Sequence, residues 1–365
     1  MRKVLFLFFI FKASFGQNIA LKLDSLMQKN FPENQAGAAL MVIKNGQILY
    51  KKGFGLANIE TKEKISANTN FRMASVSKQF TAMCIMILEQ QKKLSYEDNL
   101  LKFFPNWHKK IGSKIKIKHL LTHSSGILDY EGFIPENQTE QILDADVVKF
   151  LAKKDSIYFE VGTKFRYSNS GFCLLAQIVE KVSNLGYVQF VENHIFKPLG
   201  MNNSRIFEVG KTMPNRAMGN ARNDKNELIF SDQSITSATK GDGCVYTSLN
   251  DYQKWANTLI INKLVNLKSH LKRISQSIDS TKNGYYGMGW FHAFGSKNSL
   301  ELYHTGSTCG FSNVVKIVPK NGLVIAYFSN IADNHLAYNS IEEILKKYKI
   351  DESENDFQKI LNLTR

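Results

Sequence analysis

The chain reads as a mixed α/β (α+β) protein: an antiparallel sheet of five or more strands, flanked by helices, with an α-helical lobe inserted into it. Three observations predict this. Strand–turn–strand patterns stand near both ends of the sequence, while the stretch between them is dominated by apolar residues at helical spacing. A sheet assembled from both termini with helices between its halves implies an inserted second lobe. The length of 365 residues also exceeds the roughly 250–300 that one core supports, so a composite domain or two lobes are expected.

The elements follow in order. Residues 1–16 read as an export address. Arg2 and Lys3 precede an eight-residue apolar run, Val4–Phe11, and Ala13-Ser14-Phe15-Gly16 offers small residues for cleavage before Gln17. Eight apolar residues cannot cross ~30 Å of hydrocarbon as a helix, so no transmembrane segment is expected. The mature chain is then periplasmic or secreted after cleavage near Gly16. Ala38–Lys44, the turn Asn45-Gly46 and the following QILYKKGFG make the first hairpin, with Asn-Gly supplying the positive φ of a tight turn.

Two amphipathic helices come next. Phe80, Met83, Cys84, Ile87 and Leu88 share one face after Ser75, and Leu174, Leu175, Ile178, Val179 and Val182 share another after Gly171. Residues 131–160 and 202–235 are polar and weakly patterned, and read as loops beside a cleft. Ser299–His304, Ser312–Pro319 and Leu323–Asn330 are three late strands, the last two joined through Lys320-Asn321-Gly322; Ser340–Tyr348 closes as an amphipathic helix. The expected layout is one domain over 17–350, with a sheet lobe over about 17–72 and 236–350, a helical lobe over about 73–235, and a C-terminal tail over 351–365.

Composition excludes several classes. The formal charge of +15 comes from 39 Lys and 8 Arg against 32 acidic residues, and the lysines are spread along the chain, densest between Lys109 and Lys118. Nucleic-acid readers cluster Arg for its planar bidentate fork, so no nucleic-acid partner is expected. Cys84, Cys173, Cys244 and Cys309 are too few for a disulfide framework. The first two fall on apolar helical faces, and free thiols are expected at the other two. His119 and His123 are four apart but lack a carboxylate ligand nearby. No metal and no cofactor are expected.

The chemistry lies elsewhere. The hydrolase string G-x-S-x-G is absent, since Gly306-Ser307-Thr308-Cys309-Gly310 has Thr at its centre. Ser75-Val76-Ser77-Lys78 places a hydroxyl and an ammonium on one helix face, where a desolvated Lys can take the hydroxyl proton. S-x-x-K also occurs at Ser113, Ser237 and Ser269, but only Ser75 leads directly into a strongly amphipathic segment. Tyr167-Ser168-Asn169 is the only Y-x-N, and His304-Thr305-Gly306 ends a strand.

In this order, 92 and 137 residues apart, the three motifs resemble those of the serine β-lactamase and penicillin-binding protein superfamily, closest to its class C-like and D-alanyl-D-alanine carboxypeptidase branch. HLLTHSSGI (His119–Ile127), FRYSNSGF (Phe165–Phe172), IFKPLGM (Ile195–Met201) and GDGCVYTSLND (Gly241–Asp251) agree with it. The resemblance covers roughly residues 30–335 and implies a β-lactamase/transpeptidase-like fold. It further implies that Ser75 is the acylated nucleophile, Lys78 its proton partner and Tyr167 the general acid/base. Asn169 would hold the substrate amide. His304, Thr305 and Gly306 would line the acyl chain, and the N–H groups of Ser75 and Ser307 would form an oxyanion hole. His123, in a helix-end motif, receives no catalytic role.

The implied partners are small peptide, ester or β-lactam substrates, cell-wall peptides among them. A penicillin-binding D-peptidase leads the readings. An esterase-type hydrolase or β-lactamase follows, then a non-catalytic peptide-binding member. An imidazole at 304 can receive a substrate carboxylate only while protonated, with an ordinary pKa of about 6.5.

Overall fold

The computed structural model describes residues 18–278, 284–332 and 334–357; the leader expected at 1–16 lies outside them. An eight-stranded sheet forms the frame, in the spatial order Gln276–Ser277, Tyr285–Gly287, Trp290–Gly295, Ser299–Thr308, Phe311–Val318, Leu323–Ser329, Ala38–Lys44 and Gln47–Phe54. Every neighbouring pair is antiparallel, and the two ends of the chain meet where Leu40 stands opposite Tyr327. All five strands legible in the sequence belong to this sheet. The three others escaped because two of them span only two and three residues, and Trp290–Gly295 shows no alternation.

The central strands read as continuous apolar runs because both sheet faces are covered. Adjacent side chains on Leu323–Ser329 show this directly. Tyr327 packs against Phe31 (6.4 Å between ring centroids) and Tyr338 (6.2 Å), under the helices at 18–30 and His335–Lys347. Phe328 points the other way, onto Phe71 (6.0 Å) and Tyr252 (5.4 Å) beneath the helical side. A two-residue side-chain period places these neighbours in opposite layers.

The segment after the last helix corrects one expectation. Residues 351–357 are not a free tail: Asp351 Oδ2 accepts from the buried Lys316 Nζ at 2.7 Å, and Phe357 stacks on Tyr303 at 5.3 Å. Likewise, 131–160 is not all loop. It holds the helix Asp144–Ala152, whose inward stripe is only Val147 and Leu151, too short for periodicity to reveal. In 202–235, the short strands Asn220–Arg222 and Leu228–Phe230 form a hairpin. Among the described residues the four cysteines are free, and no helix is long and apolar enough to cross a membrane.

Candidate active site

The strand Phe71–Arg72 delivers the chain to a tight turn beside the sheet edge. Ala74 adopts φ +49°, a left-handed backbone unusual for a residue with a side chain, and a 3₁₀ turn over Ala74–Ser77 carries Ser75. The α-helix begins at Lys78, three residues later than the sequence pattern implied, and runs to Gln90. Phe80 anchors it by stacking on Trp255 at 4.3 Å. Ser75 is half-buried while the residues on either side of it are buried. Lys78 is fully buried, and its Nζ donates to Ser75 Oγ (3.0 Å), Asn169 Oδ1 (2.9 Å) and the Asp242 carbonyl (3.0 Å). Three convergent acceptors hold the amine against the hydroxyl.

Asn169 opens the helix Asn169–Ser183, with Ser168 capping it through the Gly171 N–H. Tyr167, just before the cap, turns its ring so that Lys78 Nζ lies 4.9 Å from the ring centroid. The buried Tyr167 hydroxyl has no hydrogen-bond partner among the described residues. His123 clamps this segment. Its ring lies 4.2 Å from that of Tyr167, its Nδ1 accepts the Ser168 N–H at 3.1 Å, and its carbonyl accepts the Arg166 N–H at 2.9 Å. Burial, then the positive charge of Lys78, holds the His123 imidazole well below its usual pKa, so it is neutral. The sequence assigned it no catalytic role. The fold makes it a positioning residue for Tyr167.

The strand Ser299–Thr308 runs past Ser75 at very close range. A Cβ on Gly306 would stand 2.1 Å from the Met73 carbonyl oxygen, so only glycine allows the approach. Thr305 is half-buried and Ser307 exposed, whereas His304 turns inward and is 1% exposed. Its Nδ1 meets the Thr305 carbonyl at 2.6 Å and its Nε2 meets the Tyr286 hydroxyl at 3.1 Å. Burial drives its pKa down to about 3. Both ring nitrogens are engaged inside the protein, which corrects the idea of a protonated imidazole waiting in the cleft for a carboxylate.

Two contributors lay outside the sequence reading. Asp242 supplies its carbonyl to Lys78, on a short helix, Lys240–Gly243, fixed by Asp144, whose oxygens accept the N–H groups of Lys240 (2.8 Å) and Gly241 (3.0 Å). Burial raises the Asp144 carboxyl to about 7 and also raises that of Asp242. Glu131 accepts from Asn169 Nδ2 at 3.0 Å. A backbone carbonyl leaves no residue-type signal, and Glu131 sat in a segment read as loop. The other S-x-x-K serines lie away from such a setting: Ser113 and Ser269 are exposed, and Ser237 Oγ accepts from Arg72 at 2.7 Å. Among the described residues no group of three His, Cys, Asp or Glu converges as a metal site.

Comparison with known proteins identifies the family. The beta-lactamase family model matches residues 26–345. Penicillin-binding protein 4* of Bacillus subtilis is 28% identical over 330 residues, covering 86% of this chain and 72% of the relative. Among solved structures, an octameric penicillin-binding protein homologue from Pyrococcus abyssi superposes with a TM-score of 0.75 at 26% identity, over 89% of this chain and 77% of that one. A penicillin-binding protein from Bacillus halodurans shares the fold with a TM-score of 0.75 at 23% identity, over 88% and 98% of the two chains. With a family model spanning nearly all of the described residues and penicillin-binding relatives in both comparisons, this chain belongs to the beta-lactamase family of penicillin-binding-protein-like serine hydrolases.

Proposed function

We propose that this chain is an exported serine hydrolase that forms an acyl-enzyme on Ser75, reacts with penicillins and hydrolyses D-amino-acyl peptide bonds. The contact that carries the reading is Lys78 Nζ at 3.0 Å from Ser75 Oγ, with Asn169 and the Asp242 carbonyl completing its shell. In its neutral form Lys78 keeps its two N–H bonds, to Asn169 and the Asp242 carbonyl, and its lone pair takes the Ser75 proton as Oγ attacks the acyl carbon. Tyr167, its hydroxyl uncommitted and its ring against Lys78, protonates the leaving group. The same tyrosine then activates the water that releases the acyl group. The N–H groups of Ser75 and Ser307 receive the oxyanion, and Thr305 and Gly306 line the acyl chain.

Intact-mass measurement after exposure to a fluorescent penicillin tests this: an adduct is expected that vanishes in Ser75→Ala. An adduct that persists in the variant refutes the assignment. Export is tested by sequencing the N-terminus of the protein from its host, which is expected near Gln17.

A second reading is favoured by one observation. The buried His304 offers no charge to a substrate carboxylate, which suits an amide or ester donor without a free carboxylate on its leaving group.

A further inference from the structure

Asn169 is the residue from which the family resemblance expects a donor for the substrate's acyl-amide carbonyl. Its Oδ1 is taken by Lys78 at 2.9 Å, and its Nδ2 donates to Glu131 Oε1 at 3.0 Å. Glu131 takes one of the two Nδ2 hydrogens, so a carboxylate stands beside the remaining N–H donor of Asn169, three consecutive polar contacts from Ser75 Oγ. A substrate carbonyl directed there meets negative charge. A substrate ammonium meets a charge-assisted acceptor.

Glu131 is built into this position. It lies in the 3₁₀ turn Tyr130–Phe133, at the exposed rim of the cleft. The turn is pinned by Ser170, the residue after Asn169, whose Oγ accepts the Tyr130 N–H and donates to the Leu128 carbonyl, both at 2.9 Å. The buried Tyr130 ring, 1% exposed, anchors the turn from below. In a chain with 47 lysines and arginines, no basic side chain forms an ion pair with Glu131 among the described residues, whereas its neighbour Asp129 is paired with Arg166 at 2.7 Å. The carboxyl group is thus held in place without an ion-pair partner, and burial pushes its pKa up, which a cationic substrate group beside it would reverse. An α-ammonium stands two bonds from the carbon that Ser75 attacks, and Asn169 links that nucleophile's lysine to Glu131.

We infer that Glu131 selects acyl donors bearing a free α-amino group, so that the substrates are amides, esters or peptides of unblocked amino acids rather than N-acylated peptides. This rests on the acyl-enzyme reading above and names the class of donor that site accepts.

Matched p-nitroanilides of D-alanine and N-acetyl-D-alanine test it through the ratio of their kcat/KM values, which cancels effects common to both. The wild type is expected to favour the free amine at least tenfold. Glu131→Gln keeps an oxygen for Asn169 Nδ2 and removes the charge, and is expected to reduce that ratio to about twofold or less. Glu131→Asp, which retains the charge, is expected to keep the preference. A wild type that favours the N-acetyl substrate or shows no preference overturns the inference. So does a ratio unchanged in Glu131→Gln, which would leave Glu131 only a positioning role on Asn169. Labelling by penicillin without turnover of either anilide overturns the inference but spares Ser75. The absence of any Ser75 adduct, with penicillin or anilide, removes the underlying reading and the inference with it.

Discussion

Tyr286 and His304 share a hydrogen bond whose polarity the backbone dictates. The Thr305 carbonyl, only an acceptor, faces His304 Nδ1 at 2.6 Å, so the proton sits on Nδ1 and Nε2 accepts from the Tyr286 hydroxyl at 3.1 Å. The imidazole is neutral, buried and fully occupied. Tyr286 packs edge-on to Tyr167, with 5.9 Å between ring centroids, which ties the inward face of the sheet to the proposed proton carrier.

The first prediction follows from that neutrality. With its pKa driven down to about 3 by burial, His304 does not titrate between pH 5 and 8. The ratio of kcat/KM for a D-peptide acid to that for its amide is therefore expected to carry no imidazole titration in that range. A ratio that falls tenfold or more through pH 6.5 would show the ring protonated and reaching substrate.

Buried neutral histidines also set the acid limb of stability. Burial lowers His119 and His292 to about 4 and His304 to about 3, and holds His123 well below its usual value. Because the folded pKa lies below the unfolded value near 6.5, the stabilisation is complete above pH 6.5 and is lost as pH falls through the folded values. The Asp144 carboxyl, raised to about 7, works the other way over this range, but four imidazoles outweigh one carboxyl. Urea denaturation at successive pH values is expected to show the midpoint dropping from pH 6.5 to 4. A flat midpoint contradicts it.

Tyr167→Phe retains the ring against His123 and Lys78 and removes only the hydroxyl. A fall in kcat of roughly 10²–10⁴-fold is expected, the usual contribution of a general acid–base group. Steady-state rates within threefold of wild type would make the hydroxyl dispensable.

Gly306→Ala forces a methyl group into the Met73 carbonyl, 2.1 Å from where the new Cβ must sit. Backbone meets backbone there, so the turn bearing Ser75 has to shift. Displacements of about 1 Å commonly cost about a hundredfold in rate. Penicillin labelling is expected to slow by that order, and unchanged labelling would show the approach to be compliant.

Lys316 sits between Asp351 at 2.7 Å and Glu342 at 3.1 Å, beneath the last helix. Burial works against the charged form of Asp351, but the Lys316 charge outweighs it and the carboxyl pKa ends below normal. This contribution is therefore complete above the ordinary value near 3.9 and disappears as pH falls through the lower folded one. Lys316→Ala leaves the buried Asp351 without its ion pair and Glu342 with Lys346 alone, and is expected to cost about 3–5 kcal/mol, measurable by urea unfolding. A loss under about 1 kcal/mol would mean that water enters the cluster.

Short-range spacing made part of this protein legible before any fold was known. Ser75 and Lys78 lie one helical turn apart, Tyr167 and Asn169 two residues apart, and the hairpin at Asn45-Gly46 declares its own turn. Each depends on local backbone geometry, which a few residues determine. The tertiary structure decided the rest. Asp242 reaches Lys78 across 164 residues, Glu131 reaches Asn169 across 38, and His123 clamps Ser168 across 45. No periodicity records such closures, because they arise only when the helical side packs against the sheet. The charge of His304 was equally out of reach: a pKa depends on how much water is excluded, and that depends on every element packed around the ring.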